Sequence, residues 1–154
     1  MVWFTKQNFR ENVFAEKKSR ILPAILLSRT KFLLKDFFMA FKYYEQIKSQ
    51  ELPSMEVDNV QAFLKDFAVS EDTEKPMTSG LFRLKAGESL KYTYTYHEMK
   101  FIVDGHFTIE DETGQKIIAK AGDLLYFPKG TSITFSTDDF GLGFFCGQRG
   151  EGEA

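Results

Sequence analysis

The sequence predicts an all-β fold in a single domain, and three observations carry that reading. Aromatic residues make up 16% of the chain, with 17 phenylalanines, and aromatic side chains favour pleated strands and fill wide interiors. From Met77 onward, short runs rich in Phe, Tyr, Ile, Thr and Val are broken by turn signals at Gly80, Gly87, Asp104-Gly105, Gly114, Gly122, Pro128 with Gly130, and Gly141. Such spacing is that of a β-sandwich or barrel. A length of 154 residues, 43% hydrophobic and 27% charged, suits one soluble core and excludes two large domains, global disorder and a multi-span membrane protein. Cys146 is the only cysteine, which rules out an internal disulfide framework and a cysteine-cluster zinc site, and makes a reducing compartment the default.

The amino-terminal part differs in kind from the rest. Residues 1–38 carry eight Lys/Arg against three acids, so the net charge of −2 hides a basic head and an acidic body. The body offers no extended cationic face and no nucleic-acid-binding motif, so nucleic acid is not an expected partner. The apolar run Ile21 to Leu27 contains Pro23 and is far shorter than the roughly 20 residues that span a bilayer, so no membrane partner is expected either. It also lacks a small-residue cleavage site, being followed by Arg29 and Lys31, which argues against a signal peptide. The expected location is cytoplasmic, with a mitochondrial presequence the alternative that the basic head offers. Met39 would serve as a normal start, and residues 1–38 are read as a basic extension that the fold can dispense with.

Between head and barrel, Leu33, Phe37, Phe41 and Tyr44 form the stripe of an amphipathic helix over 32–44. Residues 39–76 are read as helix and lead-in arm, with a shorter helix or turn over 56–67. The barrel is expected over 77–147. Within it, "MKFIV" and "HFTIE" flank Asp104-Gly105, which predicts a type I′ hairpin, because both central residues of that turn take positive φ. "QKIIAK", "LLYF", "SITFS" and "FGLGFFCG" supply further strands, and 148–154 is read as a frayed tail.

These residues carry a family resemblance. Glu98, six intervening residues and Gly105 are similar to the second half of the first cupin motif. Gly122, five residues and Pro128-Lys129-Gly130 are similar to the start of the second. The stretches "YHEMKFIVDG" and "AKAGDLLYFPKGTSITFST" most resemble the ethanolamine-utilisation (EutQ-like) cupins, over about residues 77–147. The resemblance implies a small jelly-roll barrel with a central cavity, here preceded by an amino-terminal helical extension, and pairing into homodimers.

The family's metal site takes two His and a Glu from the first motif and a His from the second. Carried onto this chain, those positions hold Tyr92, Tyr94, Glu98 and Ile133. Neutral tyrosine is a weak ligand and isoleucine is none. The expectation is therefore no metal and no cofactor, with loss of the oxygenase chemistry that depends on the metal. Strand alternation places Tyr92, Tyr94, Tyr96, Glu98 and Lys100 on one face. If that face points inward, phenolic hydroxyls surround one carboxylate, a set suited to proton transfer. The bland alternative is a core carboxylate paired with Lys100 or Arg83.

The expected catalytic residues are Glu98, Tyr96 and Tyr94, with Tyr92, Tyr126, Arg83 and Ile133 lining a small-molecule site. His97 and His106 fall on the opposite face, Lys129 in a solvated turn, and Cys146 reads as a small core residue. Three functions follow: a metal-independent enzyme performing isomerisation, elimination or cyclisation; a non-catalytic ligand-binding or scaffolding cupin; or the acetate-kinase-linked role implied by the resemblance alone. The last finds little support, since no phosphate-binding loop is present in the sequence.

Overall fold

The computed structural model describes residues 41–154. The chain divides into two units, Met1–Lys42 and Tyr43–Ala154, and the second holds all the described strands. The basic extension over 1–38, and most of the helix expected over 32–44, lie outside the described residues; residues 41–44 carry no helix. No helix among the described residues is long and apolar enough to cross a membrane.

A short 3-10 turn, Ile47–Ser49, precedes eight strands: β1 Ala62–Val69, β2 Thr78–Lys85, β3 Leu90–Thr93, β4 Glu98–Asp111, β5 Lys116–Lys120, β6 Leu124–Phe127, β7 Ser132–Ser136 and β8 Phe140–Gly147. The stretch 56–67, expected as a helix or turn, instead enters strand β1 at Ala62, and β1 pairs antiparallel with β2. Propensity explains the difference, because "AFLKDFAV" alternates around two phenylalanines and reads as a strand once an edge is available to pair with. One sheet then runs β1-β2-β8-β4 with β6 on the far side of β4. The other runs β3-β7-β4 with β5 beside β4. Between them lies an aromatic core that includes Phe82, Phe107, Phe127, Phe135 and Phe145. This is the all-β architecture expected, a sheet curled around one core.

Strand β4 belongs to both sheets, and this overturns the expected hairpin at Asp104-Gly105. The strand continues through the dipeptide for 14 residues. The residues up to Gly105 pair with β8, those from His106 onward pair with β5, and the register against β8 shifts between Ile102 and Asp104. Gly105, at a positive φ of 64°, stays paired with Gly141 just past the bulge and reverses nothing. The bulge inverts the inward parity. Before it the buried positions are Glu98, Lys100 and Ile102; after it they are Phe107 and Ile109. A two-residue turn signal specifies the backbone conformation, and long-range pairing decides whether the chain reverses there or merely bends.

The segment 148–154, expected to fray, is anchored at Arg149. That side chain is buried, and both terminal nitrogens donate to the Asp66 carboxylate of β1 at 2.9 and 2.7 Å. The Gly152 N–H donates to the same carboxylate at 2.9 Å. Burial pushes the Asp66 carboxyl up, but the bonds from Arg149 and Gly152 outweigh it and hold the group below its usual 3.8.

Two outcomes follow from this architecture. Gly105→Ala would place a Cβ 2.2 Å from the Phe140 carbonyl oxygen at a backbone φ that L side chains rarely adopt, so it should lower stability by about 2 kcal/mol or more. Thermal melting of this variant within a degree of the parent would contradict that close approach. Because Asp66 is lowered in the folded state, its contribution is present above pH 3.8 and fades as pH falls below it. Arg149→Ala should lose about 3 kcal/mol at neutral pH, and its denaturation midpoint should fall less steeply than the parent's as pH drops towards 3. Parallel acid profiles would show that the pair carries no such linkage.

Candidate functional site

The interior site is built on the approach from β3 to β4. The chain leaves β3 at Thr93 and bends at 95–96, yet the Tyr94 N–H donates to the Thr131 carbonyl at 2.9 Å, the Gly130 N–H donates to the Tyr94 carbonyl at 2.8 Å, and burial alternates from 92 to 100. Alternation therefore persists across the break. Tyr92, Tyr94, Tyr96, Glu98 and Lys100 all line one cavity, with Phe82, Phe135 and Ala154 among the other lining residues. The cavity volume is about 20 Å³, room for about one water. Its lining grades from buried Tyr94, Glu98 and Lys100, through half-buried Tyr92, Met55 and Leu64, to exposed Ala154.

Glu98 is 4% exposed. Its Oε1 accepts a hydrogen bond from the Tyr94 hydroxyl at 3.0 Å and pairs with the Lys100 Nζ at 3.0 Å. Lys100 Nζ also lies 3.4 Å from the Tyr94 oxygen. The same ammonium sits over the rings of Phe82, Phe135 and Phe127, at 4.6, 4.9 and 5.6 Å from their centroids. The cage exists because three strands, β2, β6 and β7, each point one phenylalanine at the same place. Gly143 of β8 leaves room for the lysine stem, since a Cβ there would stand 3.0 Å from its Cγ and Cδ.

The tyrosines form the rest of the polar surface. The Tyr94 ring stacks on Phe127 at 4.8 Å and meets Tyr92 edge-on at 4.9 Å. The Tyr92 and Tyr96 hydroxyls lie 3.1 Å apart. Burial, reinforced by the Glu98 charge and hydrogen bond, pushes the Tyr94 hydroxyl well above its usual range. Tyr96 is likewise pushed up by burial and by its bond to Tyr92. Both rings therefore remain protonated, and Tyr94 is a standing donor to Glu98. Taking a carboxylate and an ammonium out of water costs several kcal/mol per ion, and apolar residues of the same volume would be no less stable, so stability alone does not account for the pair.

Of the two candidate partners for Glu98, Lys100 is the one found. Arg83 is half-buried, does not line the cavity, and lies on β2 in alternation with the inward Phe82 and Leu84. Two further residues expected in the ligand site lie elsewhere. Ile133 is core, facing a separate groove with Ile109 and Leu125. Tyr126 is 55% exposed because the alternation of β6 turns Leu125 and Phe127 towards the core instead. The Tyr126 hydroxyl bonds His97 Nδ1 at 2.9 Å on the outer side of the barrel, where the Lys129 N–H also donates to that nitrogen at 3.2 Å. His97, Tyr126, Met99 and Cys146 share an outer groove of about 340 Å³. Cys146 is thus half-buried beside a histidine distant in sequence, and burial pushes its thiol up. His106 is bonded to Asp138 at 2.6 Å, away from the cavity. Sequence reasoning missed the three-phenylalanine cage and the Asp66–Arg149 pair; neither has a local signal, since each joins residues from separate strands.

The four positions that would hold a cupin metal carry two phenols, one carboxylate and one isoleucine. The carboxylate oxygen is already bonded to an ammonium and a hydroxyl. Among the described residues no three His, Cys, Asp or Glu side chains come together. This donor set does not fit a divalent transition metal.

The geometry agrees with the comparisons to known proteins. The chain is similar to the acetate kinase EutQ of Clostridioides difficile (strain 630), 26% identical over 113 residues, or 67% of this chain and 70% of that protein. It is 44% identical over 46 residues to the acetate kinase EutQ of Escherichia coli (strain K12), a match spanning 30% of this chain and 19% of the relative. In three dimensions it is similar to the solved Clostridium difficile EutQ protein, with a TM-score of 0.60 at 22% identity, covering 69% of this chain and 79% of that one. The fold is likewise that of a cupin superfamily protein from Desulfitobacterium hafniense, with a TM-score of 0.52 at 17% identity over 71% of this chain and 93% of that one. The family described as ethanolamine utilisation protein EutQ matches residues 10–145, and with nearly the whole chain inside that match, the protein belongs to the EutQ family of cupins.

Proposed function

We propose that the protein is a small-molecule-binding cupin working without a metal, in which Glu98 accepts and returns a proton while Tyr94 holds its carboxylate. The observation that supports this most is the inward Glu98, hydrogen-bonded by a hydroxyl that stays protonated and lining a small cavity in the barrel's interior. A buried polar cluster of this cost is best accounted for by use. Half-buried Tyr92 and buried Tyr96 offer a second pair of hydroxyls in the same lining, suited to orienting a ligand. A passive reading draws on a different observation, the direct Glu98–Lys100 pair, which resembles a satisfied core ion pair. The activity in the names of the acetate kinase relatives is phosphoryl transfer, for which the sequence offers no phosphate cradle.

The two main readings separate on Tyr94→Phe and Glu98→Gln. Tyr94→Phe keeps the ring stack and should fold, with turnover of a substrate found by screening small carbonyl and carboxyl compounds down by about 10-fold or more. Glu98→Gln should lower that turnover by about 10²-fold and, by leaving Lys100 unpartnered, also cost stability. Unchanged binding and turnover in both would leave the passive reading.

A homodimer is part of the proposal. Met99, Phe101, Leu124 and Tyr126 stand 45–67% exposed on the neighbouring strands β4 and β6, a contiguous apolar face of the kind that marks an interface. Light scattering at micromolar concentration should give twice the chain mass, and Leu124→Glu should halve it; a monomeric parent would remove this part.

A further inference from the structure

The geometry points to Lys100 as a tethered cation standing in for the Lewis acid that this donor set does not suit, binding the oxygen of an enolisable carbonyl compound as that oxygen gains negative charge. The inference rests on the proton-transfer reading of Glu98 and adds the substrate class and a second catalytic residue. Lys100 is 4% exposed and lines the cavity. An ammonium has three N–H donors. Glu98 Oε1 and the Tyr94 oxygen account for two acceptors, at 3.0 and 3.4 Å, and the other neighbours given for the nitrogen are three phenylalanine rings. Ring faces hold a cation in place without using up a donor in the way an oxygen would. The result is a positive charge in a low-dielectric, aromatic setting with a donor to spare, beside a space that admits one oxygen-sized group.

The chemistry closes without another reactant. The Glu98 carboxylate takes the proton from the carbon next to the carbonyl. The C–H electron pair becomes the C=C bond of an enolate, and the carbonyl π pair moves onto oxygen, where the Lys100 ammonium meets it. Glu98, now a carboxylic acid, returns the proton to carbon, either at the same position or, once the hydroxyl on the neighbouring carbon has passed its proton to the former carbonyl oxygen, at the former carbonyl carbon. The net change is exchange or isomerisation, with no electron gained or lost. The rest of such a molecule would lie towards Tyr92, Met55 and Leu64, the less buried part of the lining.

Hydroxyacetone in D₂O is the probe, with deuterium entry at its carbon-bound positions followed by proton NMR on the full chain. The parent should exchange faster than buffer alone. Lys100→Met should lose about 10²-fold of that excess, the scale for removing one oxyanion donor, and Glu98→Gln should lose at least as much. Exchange retained in Lys100→Met but lost in Glu98→Gln would overturn the role of Lys100 and leave proton transfer standing. Full exchange in Glu98→Gln would overturn the proton-transfer reading itself, and a parent no faster than buffer would overturn the substrate class. A second measurement covers a poorly folded single variant. Lys100→Ala lacks the atoms of propylammonium, so propylammonium chloride should raise its melting temperature and restore part of the exchange, whereas sodium chloride at equal ionic strength should not. Equal responses to the two salts would overturn the cation site.

Discussion

The bulge of β4 between Ile102 and Asp104 is the constraint on which the rest of the molecule depends. A strand with strict period-two alternation buries one parity of side chains along its whole length. Strand β4 cannot do so, because its two halves serve two sheets that face each other. The extra residue turns the strand from one sheet into the other and changes the inward parity at the same point, so that Glu98 and Lys100 face the cavity while Phe107 and Ile109 still reach the core. Without it, one half of β4 would present its polar face inward. Gly105 is there because the Phe140 carbonyl crosses where a side chain would begin.

That arrangement makes the electrostatics of the interior local and costly. A carboxylate and an ammonium share a region otherwise walled by aromatic carbon, where their attraction is strong because water is scarce, and where losing either partner strands the other. The cage moderates the cost for the cation through its ring faces, and Tyr94 does the same for the anion by donating to it. The two effects are not equivalent. The hydroxyl consumes acceptor capacity on Glu98, while the rings leave the donor capacity of Lys100 intact. The site is therefore better prepared to receive an incoming oxygen at the lysine than an incoming donor at that glutamate oxygen.

Much of this was legible in the sequence, and what was not is instructive. The even-spaced series Tyr92 to Lys100 shares one face because alternation is a local property and the β6–β7 turn holds Tyr94 just past the end of β3. The same logic failed for Arg83 and Tyr126, because a strand name does not say which parity faces inward; that is set by the pairing of β2 with β8 and of β6 with β4, while Ile133 faces the core but borders a separate groove. Asp104-Gly105 was read as a reversal since the dipeptide satisfies a type I′ turn as well as a bulge. The phenylalanine cage drew one residue from each of β2, β6 and β7, so nothing short of the sheet order could have assembled it. Asp66 and Arg149 lie 83 residues apart and meet only through the tertiary fold, since β2 separates β1 from β8 in the sheet.

The small size of the cavity shapes how the site can meet a ligand. A space for one oxygen-sized group cannot enclose a metabolite, so recognition must divide between that group, which reaches the buried pair, and the remainder, which stays among the half-buried Tyr92, Met55 and Leu64. Specificity for the reacting group then comes from charge and donor geometry at Lys100 and Glu98, where an unmatched polar atom would be heavily penalised. Discrimination among the rest of the molecule comes from apolar contact and two phenols, which tolerate more variation. Ala154 lines the same space, and its segment is pinned at Gly152 to the carboxylate that Arg149 grips. The width of the open side is thereby tied to an ion pair between β1 and the residues after β8, so loosening that pair would change which molecules fit before it changed what the buried groups do to them.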